Sequence, residues 1–306
     1  MEDKKLIDTI IDNVEKAIKG KREIIKLALI PLIGGGHIIF RDIPGIGKST
    51  LAEAIARSVH AEFKRIQFTS DILPSDIIGI TIYNKETEQF EFRKGPIFAN
   101  IVLADEINRA SPKSQSALLE AMNEGNVTTN GITYKLPEPF YVIATENPLE
   151  FAGTYPLPEN ELDRFMLSAS MGYPDEEAEI EILEKNEKHP AAKLKEVVTR
   201  EQIVAIKEKV KNVFVDKSIL NYILSIAKNT RDNKFITLGL STRGTLDLLN
   251  ASKAKAFIEG RDYVIPDDVK EIVPFVIQHR IIIKGGEDKF AKEIIEQILA
   301  DTRVPL

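Results

Sequence analysis

The sequence predicts an α/β fold with a parallel sheet in its first part and helices in its second part. A glycine-rich loop separates an apolar strand, residues 37–40, from a helix, residues 49–57. A second apolar strand, Ile101 to Ala104, ends at two carboxylates. After residue 174, short strands give way to long charged amphipathic helices. Because parallel strands that are buried on both faces form continuous apolar runs, these observations predict a parallel sheet followed by a helical segment.

The glycine-rich loop, D-I-P-G-I-G-K-S, has the composition of a phosphate-binding P-loop. In such a loop, backbone N–H groups at a helix N-terminus surround the phosphates, a lysine reaches the outer phosphates and a Ser or Thr hydroxyl holds Mg²⁺. We predict that Lys48 and Ser49 have these last two roles. The other predicted nucleotide-binding positions in and beside the loop are Asp42, Pro44, Gly45, Ile46, Gly47 and Thr50. The usual pattern opens with Gly at the position of Asp42. A plain Gly-Pro turn would explain the glycines but not the Lys-Ser pair behind them.

The two carboxylates, Asp105 and Glu106, follow the second apolar strand directly. Ligands of open α/β sheets bind at the carboxyl ends of the strands. Asp105 can therefore join the Mg²⁺ shell, and Glu106 can orient and polarise the attacking water. Alone, the pair could equally be an acidic strand end that caps the next helix. Together with the P-loop, it predicts Mg²⁺-dependent hydrolysis of ATP.

Composition excludes several other kinds of chemistry. The 306 residues include no Cys, which excludes disulfides, thiolate zinc sites and cysteine nucleophiles. The four His residues are scattered without metal-ligand spacing. A formal charge of −6 argues against extensive nucleic-acid binding. The N-terminus lacks the order of a signal peptide, and Lys26, Pro31 and three glycines interrupt the most apolar region, residues 24–40. We therefore expect a cytoplasmic protein without membrane insertion.

Periodicity and turn residues predict the remaining elements. Two helices, residues 4–18 and 21–33, precede the first strand, and further strands are predicted at residues 66–68, 140–144 and 166–171. Two β-hairpins interrupt this order: one pairs residues 80–83 with 90–92, and the other turns at Asn130-Gly131, the strongest short hairpin signal. The shift to charged helices predicts a domain boundary near residue 174, with a nucleotide-binding domain of residues 1–174 and an all-helical lid of residues 175–306.

Five longer stretches resemble the MoxR family of AAA+ ATPases. They are I-Q-F-T-S-D-I-L-P-S-D-I-I-G (66–79), G-P-I-F-A-N-I-V-L-A-D-E-I-N-R-A (95–110), Q-S-A-L-L-E-A-M (115–122), A-T-E-N-P (144–148) and L-P-E-N-E-L-D-R-F (157–165). They span most of the first 175 residues, and together they are far more specific than a lone P-loop. The family commonly carries Asp at the position of Asp42.

The resemblance implies roles for three more residues. Asn147 matches the sensor-1 position, whose amide contacts the γ-phosphate or the lytic water. Arg164 matches the arginine finger, which reaches the γ-phosphate of a neighbouring subunit. Arg243 matches sensor 2 in the lid, although this chain has Thr242 where the family usually has Pro. From the residues alone, Asn147 could instead be a turn residue and Arg164 could form a local salt bridge with Asp163.

The resemblance also implies a mode of action. Family members form rings, commonly with six subunits, and remodel or activate other proteins, in maturing complexes or inserting metal cofactors. It implies a partner with a von Willebrand factor A-type domain, which no residue here shows directly. The two hairpins match insertions that contact client proteins or move with the ATP cycle, although they could merely extend the fold. Two other functions remain open at this point: a motor on nucleic acid, and a scaffold whose assembly depends on bound nucleotide.

Overall fold

The computed structural model describes residues 2–148, 153–285 and 290–305. The predicted domain ranges, 1–174 and 175–306, therefore include a few residues outside the described part of the chain. The elements up to residue 174 are α1 (Glu2–Glu15), α2 (Arg22–Gly34), β1 (Ile38–Arg41), α3 (Lys48–Ser58), β2 (Phe63–Gln67), α4 (Pro74–Ile78), β3 (Gly79–Asn84), β4 (Gln89–Lys94), β5 (Ile101–Asp105), α5 (Pro112–Glu124), β6 (Asn126–Thr129), β7 (Ile132–Lys135), β8 (Tyr141–Glu146), α6 (Glu159–Leu162) and β9 (Leu167–Ala169).

Among the described residues, five strands form one parallel sheet in the order β2-β5-β8-β1-β9. Every residue of β5 and β8 is buried, as predicted for strands covered by helices on both faces. The two buried clusters of the core lie on opposite faces of this sheet, because alternate residues of each strand point to opposite sides. The carboxyl ends of β1, β5 and β8 lie side by side at one edge.

Both predicted hairpins are present, as β3–β4 and β6–β7. They contact each other through side chains. Phe92 stacks on Tyr134 with ring centroids 4.5 Å apart, and both rings pack edge-to-face against Phe98. Asn130 Nδ2 also donates to Thr81 Oγ1 at 2.8 Å. The two insertions therefore form one unit on the surface.

The chain after residue 174 is mainly helical, as predicted, but it also contains one short pair of strands. Its elements are α7 (Glu176–Lys185), α8 (Arg200–Lys211), α9 (Lys217–Asp232), β10 (Ile236–Leu238), α10 (Thr242–Ile258), α11 (Pro266–Ile277), β11 (Ile282–Ile283) and α12 (Ala291–Asp301). These strands are the antiparallel pair β10–β11, which is too short to produce a period-2 pattern. We call residues 175–305 the lid.

The lid and the sheet share one hydrophobic core. Helix α2 packs against α8 and α10 of the lid. The buried cluster on this face of the sheet contains Phe40 of β1, Leu29 of α2 and Leu248 of α10. Tyr141 of β8 also donates its hydroxyl to the carbonyl of Ala28 in α2, at 2.7 Å. The first two helices therefore connect the lid to the sheet.

Candidate nucleotide site

The loop between β1 and α3 has the backbone geometry of a phosphate-binding turn. Gly45 and Gly47 have φ angles of +84° and +96°, a region that strains any residue with a Cβ. Gly47 directly precedes α3, and no side chain caps that end of the helix. The first N–H groups of α3 are therefore suited to bind an anion.

A cavity of about 350 Å³ lies over this loop at the carboxyl edge of the sheet. It brings together most of the residues that the sequence singled out, and its lining residues come from four separate segments. It is lined by Asp42, Pro44, Gly45, Gly47, Lys48, Ser49, Thr50, Arg65, Asp105, Glu106, Thr145, Glu146 and Asn147. The edge that the strand order creates is therefore where the predicted chemistry converges.

Lys48 supplies a buried cation to this cavity. Its ammonium donates to the carbonyl oxygens of Asp42 at 2.9 Å and Ile43 at 2.6 Å, which hold it against the loop. Burial lowers the pKa of Lys48, and the carboxylates of Asp42, Asp105 and Glu106 oppose that effect. A buried cation surrounded by acceptors is suited to bind the outer phosphates of a nucleotide.

Asp105 ends β5, and both of its carboxylate oxygens are hydrogen-bonded. Oδ1 accepts from Thr145 Oγ1 at 2.6 Å, and Oδ2 accepts from Arg65 Nη2 at 2.6 Å. Thr145 Oγ1 in turn accepts from the backbone N–H of Glu106 at 2.8 Å. Sequence reasoning missed Thr145 and Arg65. Thr145 lies within the quoted stretch 144–148, but no local pattern places Arg65, on β2, next to Asp105. That contact requires the pairing of β2 with β5.

Glu106 has a backbone conformation that is uncommon for its residue type. Its φ and ψ are +56° and +51°, in the left-handed region, which a non-glycine residue occupies at some cost. Its Oε2 accepts from Gln67 Nε2 and from Arg109 Nη1, each at 3.0 Å. Two side chains therefore fix the direction of this carboxylate at the cavity wall.

The end of β8 supplies the last wall. Asn147 lines the cavity directly after the strand, where the sensor-1 prediction placed it. The preceding residue, Glu146, is buried and bonded to Arg41 Nε at 2.9 Å. This ion pair joins the ends of β8 and β1 beside the loop.

Comparison with known proteins decides the family. The model for the ATPase family associated with various cellular activities (AAA) matches residues 37–167, and the AAA lid domain model matches residues 228–298. Chaperone MoxR1 of Mycobacterium tuberculosis is 38% identical, over 96% of this chain and 79% of its own length. This chain belongs to the MoxR family of AAA+ ATPases. It is therefore an ATP hydrolase.

Two further relatives cover nearly the whole chain. Protein YeaC of Bacillus subtilis is 46% identical, over 98% of this chain and 95% of its own length. A crystal structure from Cytophaga hutchinsonii has a TM-score of 0.92 and 37% identity, and covers all of this chain and 96% of that one. The AAA+ core and lid are thus similar to a known structure along their full length.

Asp42 has a structural role in this MoxR-family loop. Its Oδ2 accepts from Ser170 Oγ at 2.8 Å, Met171 N at 2.6 Å and Gly172 N at 2.9 Å. Its Oδ1 accepts from the N–H of Ile43 at 3.0 Å. These hydrogen bonds lower the pKa of Asp42 even though burial acts to raise it. The carboxylate therefore fastens the start of the P-loop to the segment that leads into the lid.

The two predicted arginines of the MoxR pattern do not line this cavity within the described chain. Arg164 Nε lies 2.7 Å from Glu161 Oε2, and its Nη1 donates to the carbonyl of Leu119 at 3.1 Å. About a fifth of its side chain, 22%, is exposed. The salt bridge of Arg164 is thus with Glu161, whereas the sequence had suggested Asp163. Arg243 is exposed in the first turn of α10.

An adjoining cavity of about 420 Å³ was missed by sequence reasoning. It shares the P-loop residues Pro44, Gly45, Gly47 and Thr50 with the first cavity and continues towards the lid. Its other walls are mostly apolar, and they include Ile18, Ile46, Met171, Tyr173, Ile182 and Leu183. Such walls suit the flat face of a nucleobase. The predicted contact residue Ile46 belongs to this cavity.

The oxygen donors of the site fit Mg²⁺. Mg²⁺ commonly binds through one or two carboxylates plus substrate phosphates and water, without a dedicated cage of protein ligands. Ser49 and Asp105 offer one hydroxyl and one carboxylate in the same cavity. Within the described residues, no group of three or more His, Cys, Asp or Glu side chains could hold a metal ion. In that part of the chain, no helix is long and apolar enough to cross a membrane.

Proposed function

We propose that this MoxR-family ATPase works as a ring, most simply a hexamer, in which each nucleotide site is completed by the neighbouring subunit. Lys48 and the amides of the P-loop hold the phosphates of ATP. Ser49 and Asp105 hold Mg²⁺, which neutralises charge on the phosphates. Glu106 and Asn147 orient the attacking water.

The observation that carries the shared site is the position of Arg164. Its side chain is 22% exposed, contacts Glu161 and Leu119, and does not line the cavity of its own subunit. A cation placed there can approach the phosphates of a second subunit. Arg243 is also exposed, and we propose that it reports the nucleotide state to the lid.

The names of the relatives support a proposed biological role. One relative carries the name chaperone MoxR1, which supports remodelling or activation of a partner protein as the use of ATP hydrolysis. We propose a cytoplasmic role in maturing protein complexes or inserting metal cofactors, with a partner that carries a von Willebrand factor A-type domain. The joined hairpins β3–β4 and β6–β7 are the proposed contact with that client. We also retain the boundary near residue 174 as a proposal.

Mixed rings test the shared site. We expect Arg164→Ala to bind ATP but hydrolyse it poorly, since an arginine finger stabilises charge on the transferring phosphoryl group. Glu106→Gln should also bind ATP and fail in hydrolysis. In a mixture of the two variants, some interfaces combine an intact Glu106 with an intact Arg164 from the neighbour.

Partial recovery of ATPase activity on mixing supports the proposal. Equal inactivity of the mixture, with mixed rings demonstrated by pull-down of differently tagged subunits, would favour the local salt bridge as the whole role of Arg164. A titration of one variant into excess wild type separates this outcome from poisoning of whole rings. If one variant subunit inactivates a whole ring, ATPase activity falls more steeply than the fraction of wild-type subunits.

A further inference from the structure

A buried guanidinium joins the lid to the segment that carries Arg164. The side chain of Arg280, which follows α11, is only 1% exposed. Its Nε donates to Asp163 Oδ1 at 2.8 Å, and its terminal nitrogens donate to the carbonyls of Phe165 at 2.8 Å and Met166 at 3.0 Å. It also donates to Asp247 Oδ2, in α10 of the lid, at 2.5 Å. One side chain thus bonds residues on both sides of the contact between lid and sheet.

The carboxylate of Asp163 also accepts a hydrogen bond from a second lid residue, Ser241. Ser241 Oγ lies 3.0 and 3.1 Å from its two oxygens. Ser241 is also the N-cap of α10, where its Oγ accepts from the N–H of Gly244 at 2.9 Å. Asp163 therefore bonds both to the residue that begins α10 and to Arg280. We call Asp163, Arg280 and Ser241 the clasp.

The clasp lies next to the proposed trans-acting residue. Asp163 directly precedes Arg164 in the chain, and the side chain of Arg164 contacts Glu161 and the carbonyl of Leu119. The buried charge of Arg280 is shared between Asp163 and Asp247, so the clasp favours the arrangement in which both carboxylates stay within reach of it. A displacement of about 1 Å at a catalytic group can lower a rate by about a hundredfold. The lid is therefore in a position to set where Arg164 points.

We propose that Asp163 is a positioning residue through which the lid controls the aim of Arg164 at the neighbouring subunit's nucleotide. This inference rests on the proposed trans role of Arg164. A movement of α10 and α11 passes through Ser241 and Arg280 to Asp163, and hence to the next residue along the chain. The rate of ATP hydrolysis in one subunit would then depend on the position of the lid in the neighbour that supplies Arg164.

Two matched variants distinguish positioning from general stability. Asp163→Asn keeps the side-chain shape and removes the charge that binds both lid partners. Asp247→Asn removes the other carboxylate on Arg280, which lies in the lid and does not touch the Arg164 segment. We expect the Kd for ATP to change less than twofold in both, because neither residue lines the nucleotide cavity. We expect kcat to fall at least tenfold in Asp163→Asn and less than threefold in Asp247→Asn. Equal losses in the two would overturn the proposal.

Mixed rings locate the defect. Asp163→Asn has an intact Glu106, and Glu106→Gln has an intact clasp. In an equimolar random ring, about a quarter of the interfaces join an intact Glu106 to an intact clasp next door. We expect ATPase activity to recover towards that fraction. If Arg164→Ala recovers when mixed with Glu106→Gln but Asp163→Asn does not, the proposal fails and the trans role stands. If neither recovers, the trans role fails too.

A second substitution covers the case in which Asp163→Asn does not fold. Ser241→Asp keeps an N-cap acceptor for α10 but places a carboxylate against Asp163. The control is Thr199→Asp, the same kind of change at the exposed N-cap of α8. We expect kcat to fall in Ser241→Asp alone, with ATP affinity retained. An unchanged kcat in Ser241→Asp would overturn the proposal.

Discussion

Lys48 and Glu106 line the same cavity, but we expect their substitution to affect different quantities, ATP affinity for Lys48 and the rate of hydrolysis for Glu106. Lys48→Ala removes the cation that the loop carbonyls hold over the phosphate position, so the Kd for ATP should rise by about 10- to 100-fold, the worth of a charge-assisted hydrogen bond. Glu106→Gln keeps the shape but loses the base, so ATP should still bind while hydrolysis falls by about 100-fold or more. Titration calorimetry and phosphate release separate the two effects.

The control for this pair is Glu124→Gln, an exposed change at the end of α5. It should leave binding and turnover at wild-type values. Wild-type affinity in Lys48→Ala would make the loop a structural turn, and full turnover in Glu106→Gln would remove that carboxylate from the mechanism.

His37 makes stability depend on pH. Its ring is buried before β1, Nδ1 accepts from the N–H of Val142 at 3.0 Å, and Nε2 must then donate to the carbonyl of Met122 at 3.2 Å. Burial lowers the pKa of His37 to about 4, because the charged ring is poorly solvated there. Its contribution to stability is therefore present above the unfolded pKa of about 6.5 and is lost as the pH falls towards 4.

We expect His37 to account for about 2 kcal/mol of the loss in unfolding free energy between pH 7 and pH 5. Urea unfolding at the two pH values measures it. His37→Gln should lack this part of the loss, whereas His189→Gln, at an exposed position, should retain it. The same pH dependence in His37→Gln as in the wild type would refute the assignment.

A change in one hairpin should alter the protease sensitivity of the other, because Phe92 of the first hairpin stacks on Tyr134 of the second. Tyr134→Ala removes the ring on β7 that packs on Phe92 and Phe98, so trypsin should cleave the first hairpin faster at Lys85 and Arg93. The matched control is Tyr83→Ala, whose ring packs on Phe90 within its own hairpin. If the unit moves with the ATP cycle, wild-type cleavage should also differ between ATP and ADP. Identical digestion of all samples would make the hairpins independent and passive.

Local sequence signals predicted most of the elements but not the contacts between them. Asn130-Gly131 marks a hairpin because both residues tolerate positive φ, and they have φ angles of +50° and +76°. The stacking of Phe92 on Tyr134, in contrast, depends on where two insertions meet. Likewise, P-loop composition identifies Lys48, whereas the contact of Arg65 with Asp105 appears only when the strand order is known.

At the scale of the whole molecule, a shared site makes activity depend on assembly. If Arg164 acts on a neighbour, ATPase activity per subunit should rise with protein concentration until rings are complete, since a lone subunit lacks that cation at its phosphates. Steady-state turnover over a concentration series, with sedimentation in parallel, measures this. Arg164→Ala should assemble over the same range with a low and constant activity. A flat wild-type profile across the assembly range would show that a single subunit is sufficient.

The sequence also indicated the helical lid, but not how closely it adheres to the sheet. Leu248 and Phe40 are far apart in the chain, and no local pattern unites them in one cluster. The contacts of the clasp are likewise not visible in any local pattern of the sequence. Asp163, Ser241 and Arg280 come from three distant segments, and each alone resembles an ordinary surface residue in the sequence.

The hydrogen bonds of the Asp42 side chain connect the phosphate-binding loop to the segment that leads into the lid. Its carboxylate is fastened to residues 170–172, which lead through Tyr173 and Pro174 into the first lid helix. If a client bound as proposed resists movement of the lid, we expect the tension to reach the first residue of the loop that grips the nucleotide. By reciprocity, if load on the lid changes the free energy of nucleotide binding, bound nucleotide changes the free energy of the lid movement by the same amount. Load and nucleotide release are thus expected to be coupled through one side chain at the position where a glycine is usual.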